Sequence, residues 1–157
     1  MSISTLADVT TASLKNLLAN EAFNSGAWAA GTTAGTIKST VALNYKVNGV
    51  YKTYAVTDNV STALTASMAV QAANTTCYYL IYITSAGAVG AVQSVVGSTR
   101  LLTESVPDAA TVVAVLKMVT TTGFTPGTTA LAAAGCTATW ANVNLLPSAV
   151  ATDLTYA

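Results

Sequence analysis

The sequence predicts a mainly β protein, built as an antiparallel β-sandwich or jelly-roll-like domain with a short N-terminal helix and arm. At least six strand-like segments are separated by turn signals, at the spacing of about 8–12 residues that is typical of antiparallel β domains. An Asn-Gly pair at 48–49 indicates a tight hairpin, and apolar runs at 77–83 and 112–119 have the length of buried strands. Strands and helices do not alternate, so a parallel sheet is not expected.

The first 35 residues differ from the rest, and we expect a helix and an extended arm at 1–35, followed by the sandwich at 36–157. Three leucines at i, i+3 and i+4 share one helix face, and two aromatic residues then stand alone in a stretch rich in Ala, Gly and Thr. These rings pack either on the domain's own sheet or on a partner, and the sequence leaves both interpretations open. The predicted partner interface comprises Leu14, Leu17, Leu18, Phe23 and Trp28.

Residues 36–57 predict a β-hairpin. Apolar and polar residues alternate before Asn48, as in a strand with one buried face and one wet face. Asn48 and Gly49 favour a two-residue type I′ turn, in which both residues have positive φ. Counting back from this turn gives four cross-strand pairs: Val47–Val50, Lys46–Tyr51, Leu43–Tyr54 and Val41–Val56. The apolar pairs fall together on one face, which supports this register.

The middle of the chain is less uniform. Residues 60–74, rich in Ala, Thr and Ser, suit either a short helix or an irregular crossing between sheets. Residues 75–84 predict a strand that is apolar on both faces, so it lies centrally or beneath a further layer. A Ser-Ala-Gly turn leads to a weaker return strand at 88–96, and a loop follows at 97–108.

The rest of the chain is organised around residues 111–147. The valine-rich run that begins at Val112 predicts a strand, and the break signal at Gly123 ends it. Pro126 and Gly127 suit the middle of a type II turn, with Gly127 at positive φ. A second strand is expected at 137–143, so a long Thr-rich connection joins two strands.

The composition is poor in charge and lacks histidine. Of the 157 residues, 52% are hydrophobic and 8% are charged, and six basic side chains balance six acidic ones. Globular proteins carry about 25% charged residues, so the polar surface here comes largely from Thr, Ser and Asn. A formal net charge of +0 does not oppose association. We therefore expect a surface that neighbours cover, the alternative being a secreted β-domain of similar composition.

Several partner classes are not expected. The Lys and Arg residues are scattered along the chain, whereas a nucleic-acid-binding protein needs them clustered. No apolar run reaches the roughly 18 residues of a membrane span. The chain also begins without a basic segment followed by an apolar core, so synthesis in the cytoplasm is expected.

Enzymatic activity is not expected either, and with it no cofactor, metal or small-molecule substrate. Without histidine no Ser–His or Cys–His pair exists, and phosphate-binding and calcium-binding loop motifs are absent from the sequence. Cys77 and Cys136 are expected to be small buried side chains, with a disulfide between them as the alternative. The carboxylates available for a catalytic pair are Asp8, Glu21, Asp58, Glu104, Asp108 and Asp153.

Three segments, YYLIYITSAGAV, ESVPDAATVVAVLKMVT and TGFTPGTTALAAAGCTATWANVNLLPS, together resemble virion structural proteins of tailed bacteriophages. The resemblance spans residues 37–147 and is strongest at 124–131. It implies a sandwich or jelly-roll-like module, most like a capsid decoration (cement) protein, a family whose members are commonly trimers at capsomer junctions. The implied partners are copies of the chain and the major capsid protein, at the capsid surface of the virion, after synthesis in the host cytoplasm. Tail or fibre attachment is the nearest alternative.

A carbohydrate-binding β-domain is the alternative from a different class. Two Trp and seven Tyr residues supply rings on which sugars stack. Such a domain has a row of exposed aromatic side chains and is a stable monomer. However, Tyr78, Tyr79 and Tyr82 fall on both faces of one predicted strand, and Trp140 lies mid-strand, which favours packing in the core or at an interface.

Overall fold

The computed structural model describes residues 20–97, 106–107 and 109–142. This part of the chain is built from antiparallel β-strands and contains no helix, which confirms the mainly β prediction. The predicted helix with Leu14, Leu17 and Leu18 lies outside the described residues. The strands are β1 (Glu21–Ala22), β2 (Trp28–Ala30), β3 (Ile37–Ser39), β4 (Leu43–Val47), β5 (Val50–Tyr54), β6 (Thr57–Val60), β7 (Thr75–Thr84), β8 (Val89–Gln93), β9 (Ala110–Thr120) and β10 (Cys136–Asn142).

The strands form three sheets that share one hydrophobic core. The four-stranded sheet has the order β10-β9-β7-β8, and the two three-stranded sheets have the orders β1-β4-β5 and β2-β3-β6. Side chains from all three sheets meet in a single cluster, so the smaller sheets cover one face of the larger one. The Thr111 hydroxyl donates to the Lys46 carbonyl at 2.7 Å and ties β9 to β4 across this interface.

The central pair, β7 and β9, is buried on both faces. It runs in register from Thr75↔Thr120 to Thr84↔Ala110, with one irregularity between Ile81 and Tyr82. One face contributes Tyr79, Ile81, Leu116 and Met118 to the main core, and the other forms a second cluster with Tyr78, Leu80, Val112 and Val115. The prediction of a central strand at residues 75–84 is therefore confirmed, and burial of both faces explains why the strand is apolar throughout.

The connection between β9 and β10 is ordered by the predicted turn. The Thr128 amide donates to the Thr125 carbonyl at 3.2 Å, and Gly127 has φ 71°, as a type II turn requires. A Cβ on Gly127 would lie 2.8 Å from the Leu64 carbonyl oxygen, so the backbone also approaches too closely for a larger residue. Because Phe124 and Leu131 are buried in the main core, this long connection is part of the packed structure.

The Asn48-Gly49 hairpin is confirmed, except at its far end. Both turn residues have positive φ, at 51° and 77°, and the ladder runs from Val47↔Val50 to Leu43↔Tyr54. The predicted pair Val41–Val56 is wrong, because the next registered pair is Ser39↔Thr57 in another sheet. Between Leu43↔Tyr54 and Ser39↔Thr57, three residues (40–42) lie opposite two (55–56). This mismatch of one residue bends the chain as a β-bulge does. Val41 and Val56 are exposed as a result.

Residues 20–35 are part of the same fold. Glu21 and Ala22 pair with Lys46 and Tyr45, and Trp28 to Ala30 pair with Ser39 to Ile37. The strand pairing therefore extends across residue 35. This segment contains two short strands, and Ala22 and Trp28 pack in the main core. The division into 1–35 and 36–157 stays a prediction.

Residues 61–74 form an irregular crossing, which is one of the two structures that the sequence allowed. Its anchors are Leu64, in the main core, and Gln71, whose side chain is fully buried. The Gln71 amide nitrogen Nε2 donates to the carbonyls of Thr75 and Met118, both at 2.9 Å, and its backbone exchanges two hydrogen bonds with Phe124. A neutral amide thus joins the crossing to β7 and β9.

The two cysteines are free thiols. Cys77 is fully buried on β7, whereas Cys136 is half-buried on β10, and β9 lies between these strands. The alternative of a disulfide is therefore excluded by the order of the strands.

We predict that Gln71→Glu destabilises the fold in a pH-dependent manner. The new carboxylate would face two carbonyl oxygens in a buried site, so its pKa in the folded state would rise above the ordinary value of about 4.3. Stability is then lost as the pH rises above that value. We expect a loss of at least about 3 kcal/mol at pH 7 and a smaller loss at pH 4, where the protonated group donates one hydrogen bond. Urea unfolding at both pH values measures this difference.

The matched control is Gln71→Leu, which removes the same two hydrogen bonds without introducing a titratable group. We expect a loss of about 1–3 kcal/mol that is the same at both pH values. Equal pH dependence in the two variants would contradict the role assigned to the Gln71 amide.

Candidate partner interface

The outer face of the β1-β4-β5 sheet carries a cluster of aromatic and charged side chains, which we call the hairpin cluster (Glu21, Phe23, Lys46 and Tyr51). Strand pairing brings it together: Glu21 lies opposite Lys46, and Lys46 lies opposite Tyr51. Side chains alternate along a strand, so Ala22 and Tyr45 point into the core while their neighbours point outward. The rings of Phe23 and Tyr51 stack with centroids 5.2 Å apart and planes 12° apart.

Lys46 lies at the centre of the hairpin cluster. Its Nζ is 3.5 Å from Glu21 Oε2, 5.7 Å from the centre of the Phe23 ring and 5.9 Å from that of the Tyr51 ring. The Lys46 side chain is largely buried, so its charge needs these compensating contacts. The sequence register predicted the Lys46–Tyr51 pair, but it did not predict the contributions of Glu21 and Phe23.

Trp28 lies in the main core of its own domain. The residue is 2% exposed, its ring stacks on Tyr54 with a centroid distance of 5.8 Å, and its backbone amide donates to Asn142 Oδ1 at 2.7 Å. Of the two interpretations that the sequence left open for Trp28, packing on the domain's own strands is the one observed. Phe23 also packs on its own sheet, although it is only half-buried. Leu14, Leu17 and Leu18, the other predicted interface residues, lie outside the described residues.

Large hydrophobic side chains nevertheless lie on the surface, three of them at positions where the sequence pattern predicted burial. The register placed Val41, Val50 and Val56 on the buried face, yet all three are exposed. Each of these three valines lies at the tip or at the bend of the hairpin. At such positions the alternation of apolar and polar residues does not predict which side chains are buried. The exposed set consists of Val41, Val50, Tyr51, Val56, Val70 and Val95.

The surroundings of Asp58, Tyr79 and Tyr45 shift the pKa of each group. The Thr32 hydroxyl and amide donate to the Asp58 carboxylate and lower the pKa of this group. Burial raises the pKa of the Tyr79 hydroxyl, which accepts a hydrogen bond from Gln93 Nε2 at 3.2 Å. Burial also raises the pKa of Tyr45. None of these shifts brings a group close to neutral pH.

Glu21 and Asp58 are the two carboxylates that the described residues contain. Glu21 is paired with Lys46 and Asp58 is bonded to Thr32, so these two carboxylates do not form a pair. Within the same residues, no group of three or more metal-ligating side chains occurs, and no helix is long and apolar enough to cross a membrane. The candidate site is the surface that contains the hairpin cluster and the exposed valines beside it.

Comparison with known proteins gave no match among family models, curated proteins or solved structures. The resemblance of residues 37–147 to virion structural proteins therefore stays a prediction, based on the three segments quoted above.

We predict a measurable coupling between Phe23 and Tyr51. Stacked aromatic pairs contribute about 0.5–1.5 kcal/mol beyond the area that they bury. A double-mutant cycle with Phe23→Leu, Tyr51→Leu and the double variant, measured by urea unfolding, should give a coupling energy in this range. Additive losses would show that the two rings do not stabilise each other. Phe23, which follows β1, and Tyr82, on β7 of another sheet, provide a control cycle with no expected coupling.

Proposed function

We propose that this chain is a non-enzymatic virion structural protein, which decorates the capsid and stabilises it by bridging neighbouring shell subunits. The observation that carries the proposal is the group of exposed hydrophobic side chains on a surface with few charges. Tyr51 is 73% exposed, and Val50 and Val56 are 56% and 60% exposed. Covering such side chains with a neighbouring protein stabilises the assembly by about 25 cal/mol per Å² of apolar area buried.

The proposed partners are other copies of this chain, forming a homotrimer, and the major capsid protein. Permanent interfaces are larger and more apolar than transient ones, and a chain with a formal net charge of +0 does not repel its own copies. The resemblance of residues 37–147 to virion structural proteins supports the capsid as the place of assembly. Attachment in the tail or a fibre is the alternative within the same class.

The carbohydrate-binding alternative receives less support from the described residues. It requires several exposed rings in a row, whereas Tyr51 is the one aromatic side chain among the exposed large hydrophobic residues. Tyr78 and Tyr79 are buried, and Trp140 is half-buried against the main core. A single exposed ring, already stacked on Phe23, favours a protein contact over a sugar platform.

The proposal is tested by adding the purified chain to capsids of the same virus that lack it. We expect the chain to sediment with the particles and to raise the temperature at which they break open. Tyr51→Ser should weaken this binding by about tenfold or more, because truncating an aromatic contact typically costs 1–2 kcal/mol or more. Thr137→Ser, an exposed substitution on β10, is the matched control and should bind like the unchanged chain.

The opposite result would be a chain that remains a monomer and does not bind the particles. Sedimentation of the purified chain at increasing concentration measures the first property. Glycan screening of the same sample then tests the rival, since a monomer that binds sugars would contradict the assembly role.

A further inference from the structure

The edge strand β5 presents backbone groups that no described residue satisfies. In a two-residue hairpin the closing pair, here Val47 and Val50, exchanges both backbone hydrogen bonds, and bonded pairs then alternate along the ladder. Val50, Lys52 and Tyr54 therefore bond to β4, whereas Tyr51 and Thr53 direct their N–H and C=O groups away from it. The same alternation on the opposite side of β4 agrees with the hydrogen bond from Phe23 N to the Asn44 carbonyl at 2.9 Å.

Three other edge strands, β8, β6 and β10, differ from β5. The β8 edge is held by the crossing segment, because Thr62 donates to the Val89 carbonyl and the Gln93 side chain exchanges two hydrogen bonds with Ala69. Strand β6 is short, irregular in register and carries Asp58. Strand β10 exposes only small polar residues such as Thr137 and Thr139 at its centre. Among the described strands, β5 alone shows large hydrophobic side chains to solvent.

We propose that β5 forms an antiparallel contact with β5 of a second copy of this chain, about a two-fold axis centred on Thr53. The contact joins the two β1-β4-β5 sheets into one continuous sheet. An unpaired edge with apolar side chains is a template for strand addition. A self-complementary contact uses the same surface on both copies, as closed homodimers do.

The side chains select this register over its neighbours. Centring the axis on Lys52 would set two lysines directly opposite each other, which is unfavourable. Centring it on Tyr51 would leave Val56 beyond the contact. Centring it on Thr53 pairs Thr with Thr, sets Lys52 against the Tyr54 ring of the other copy, and places Val50 opposite Val56, since each lies three positions from the axis. The two exposed valines of β5 and its extension thereby cover each other.

This inference rests on the proposed self-association and adds a two-fold contact to it. A two-fold contact gives a dimer when it acts alone, and it joins two trimers where a separate contact forms the trimer. The test below does not use particle binding as its readout. Failure of the edge contact and failure of the capsid role therefore give different results.

The first experiment is cysteine cross-linking of the full chain in a Cys136→Ser background, since Cys77 is fully buried. Thr53→Cys places two thiols at a hydrogen-bonded pair with Cα atoms about 5.5 Å apart, within the range of a disulfide. We expect mild oxidation to convert it to a covalent dimer. Lys52→Cys, one position away, is the matched control and should stay largely monomeric. Equal cross-linking of both variants, or of neither, would overturn the proposal.

The second experiment tests the register with charges. Val50→Asp and Val56→Lys should each weaken association in sedimentation by about tenfold or more, because each places a charge against a valine. The double variant should recover most of this loss at low salt, since every Asp then faces a Lys of the other copy. The two positions are six residues apart on one chain, so recovery cannot arise within a copy. A double variant that associates no better than the single ones would contradict the register.

Circular dichroism and the unfolding midpoint of each variant show whether the fold is kept. Both substituted valines are exposed, so we expect near-native folding. An unchanged chain that stays monomeric up to millimolar concentration would overturn the contact, whatever its binding to capsids.

Discussion

Burial of β7 and β9 on both faces is the constraint on which the rest of the structure depends. A strand pair with no wet face must be apolar on both sides, and it must obtain a layer of structure on each side. The β1-β4-β5 and β2-β3-β6 sheets supply the layer on the side of Tyr79 and Leu116. The hydrophobic side chains of β7 and β9 therefore divide between two clusters, one on each face of the sheet.

Neutral amides and hydroxyls take the place that ion pairs hold in other proteins. Gln71 joins the crossing segment to β7 and β9, and Gln93 holds that segment against the edge of β8. The Asn24 side-chain oxygen Oδ1 likewise accepts a hydrogen bond from the backbone amide of Asn44 on β4. Such bonds satisfy backbone groups without a desolvated charge. They also leave a surface that does not repel its own copies, which is the physical basis of the proposed assembly role.

The sequence predicted the structure correctly at positions where local backbone preferences determine it. The Asn48-Gly49 turn, the turn at Pro126 and Gly127, and the strand at residues 75–84 depend on backbone preferences and on unbroken apolar runs. The sequence did not predict exposure or burial at positions where contacts with distant segments determine it. The bulge that exposes Val41 and Val56 arises because the hairpin strands continue into a different sheet. Trp28 is buried by Tyr54 and by neighbours in other sheets, which no local pattern can reveal. The hairpin cluster also depends on the pairing of distant segments, so the sequence predicted only its Lys46–Tyr51 pair.

Native-state hydrogen exchange at two protein concentrations tests the central claim most directly, because it reports the β7–β9 centre and the β5 edge in one measurement. We expect amides such as those of Leu80 and Leu116 to exchange only by global unfolding. We expect the amides of Tyr51 and Thr53 to exchange freely in dilute solution and to become protected as the concentration rises. Slow exchange at Tyr51 and Thr53 in the dilute monomer, or fast exchange along β7 and β9, would contradict these expectations.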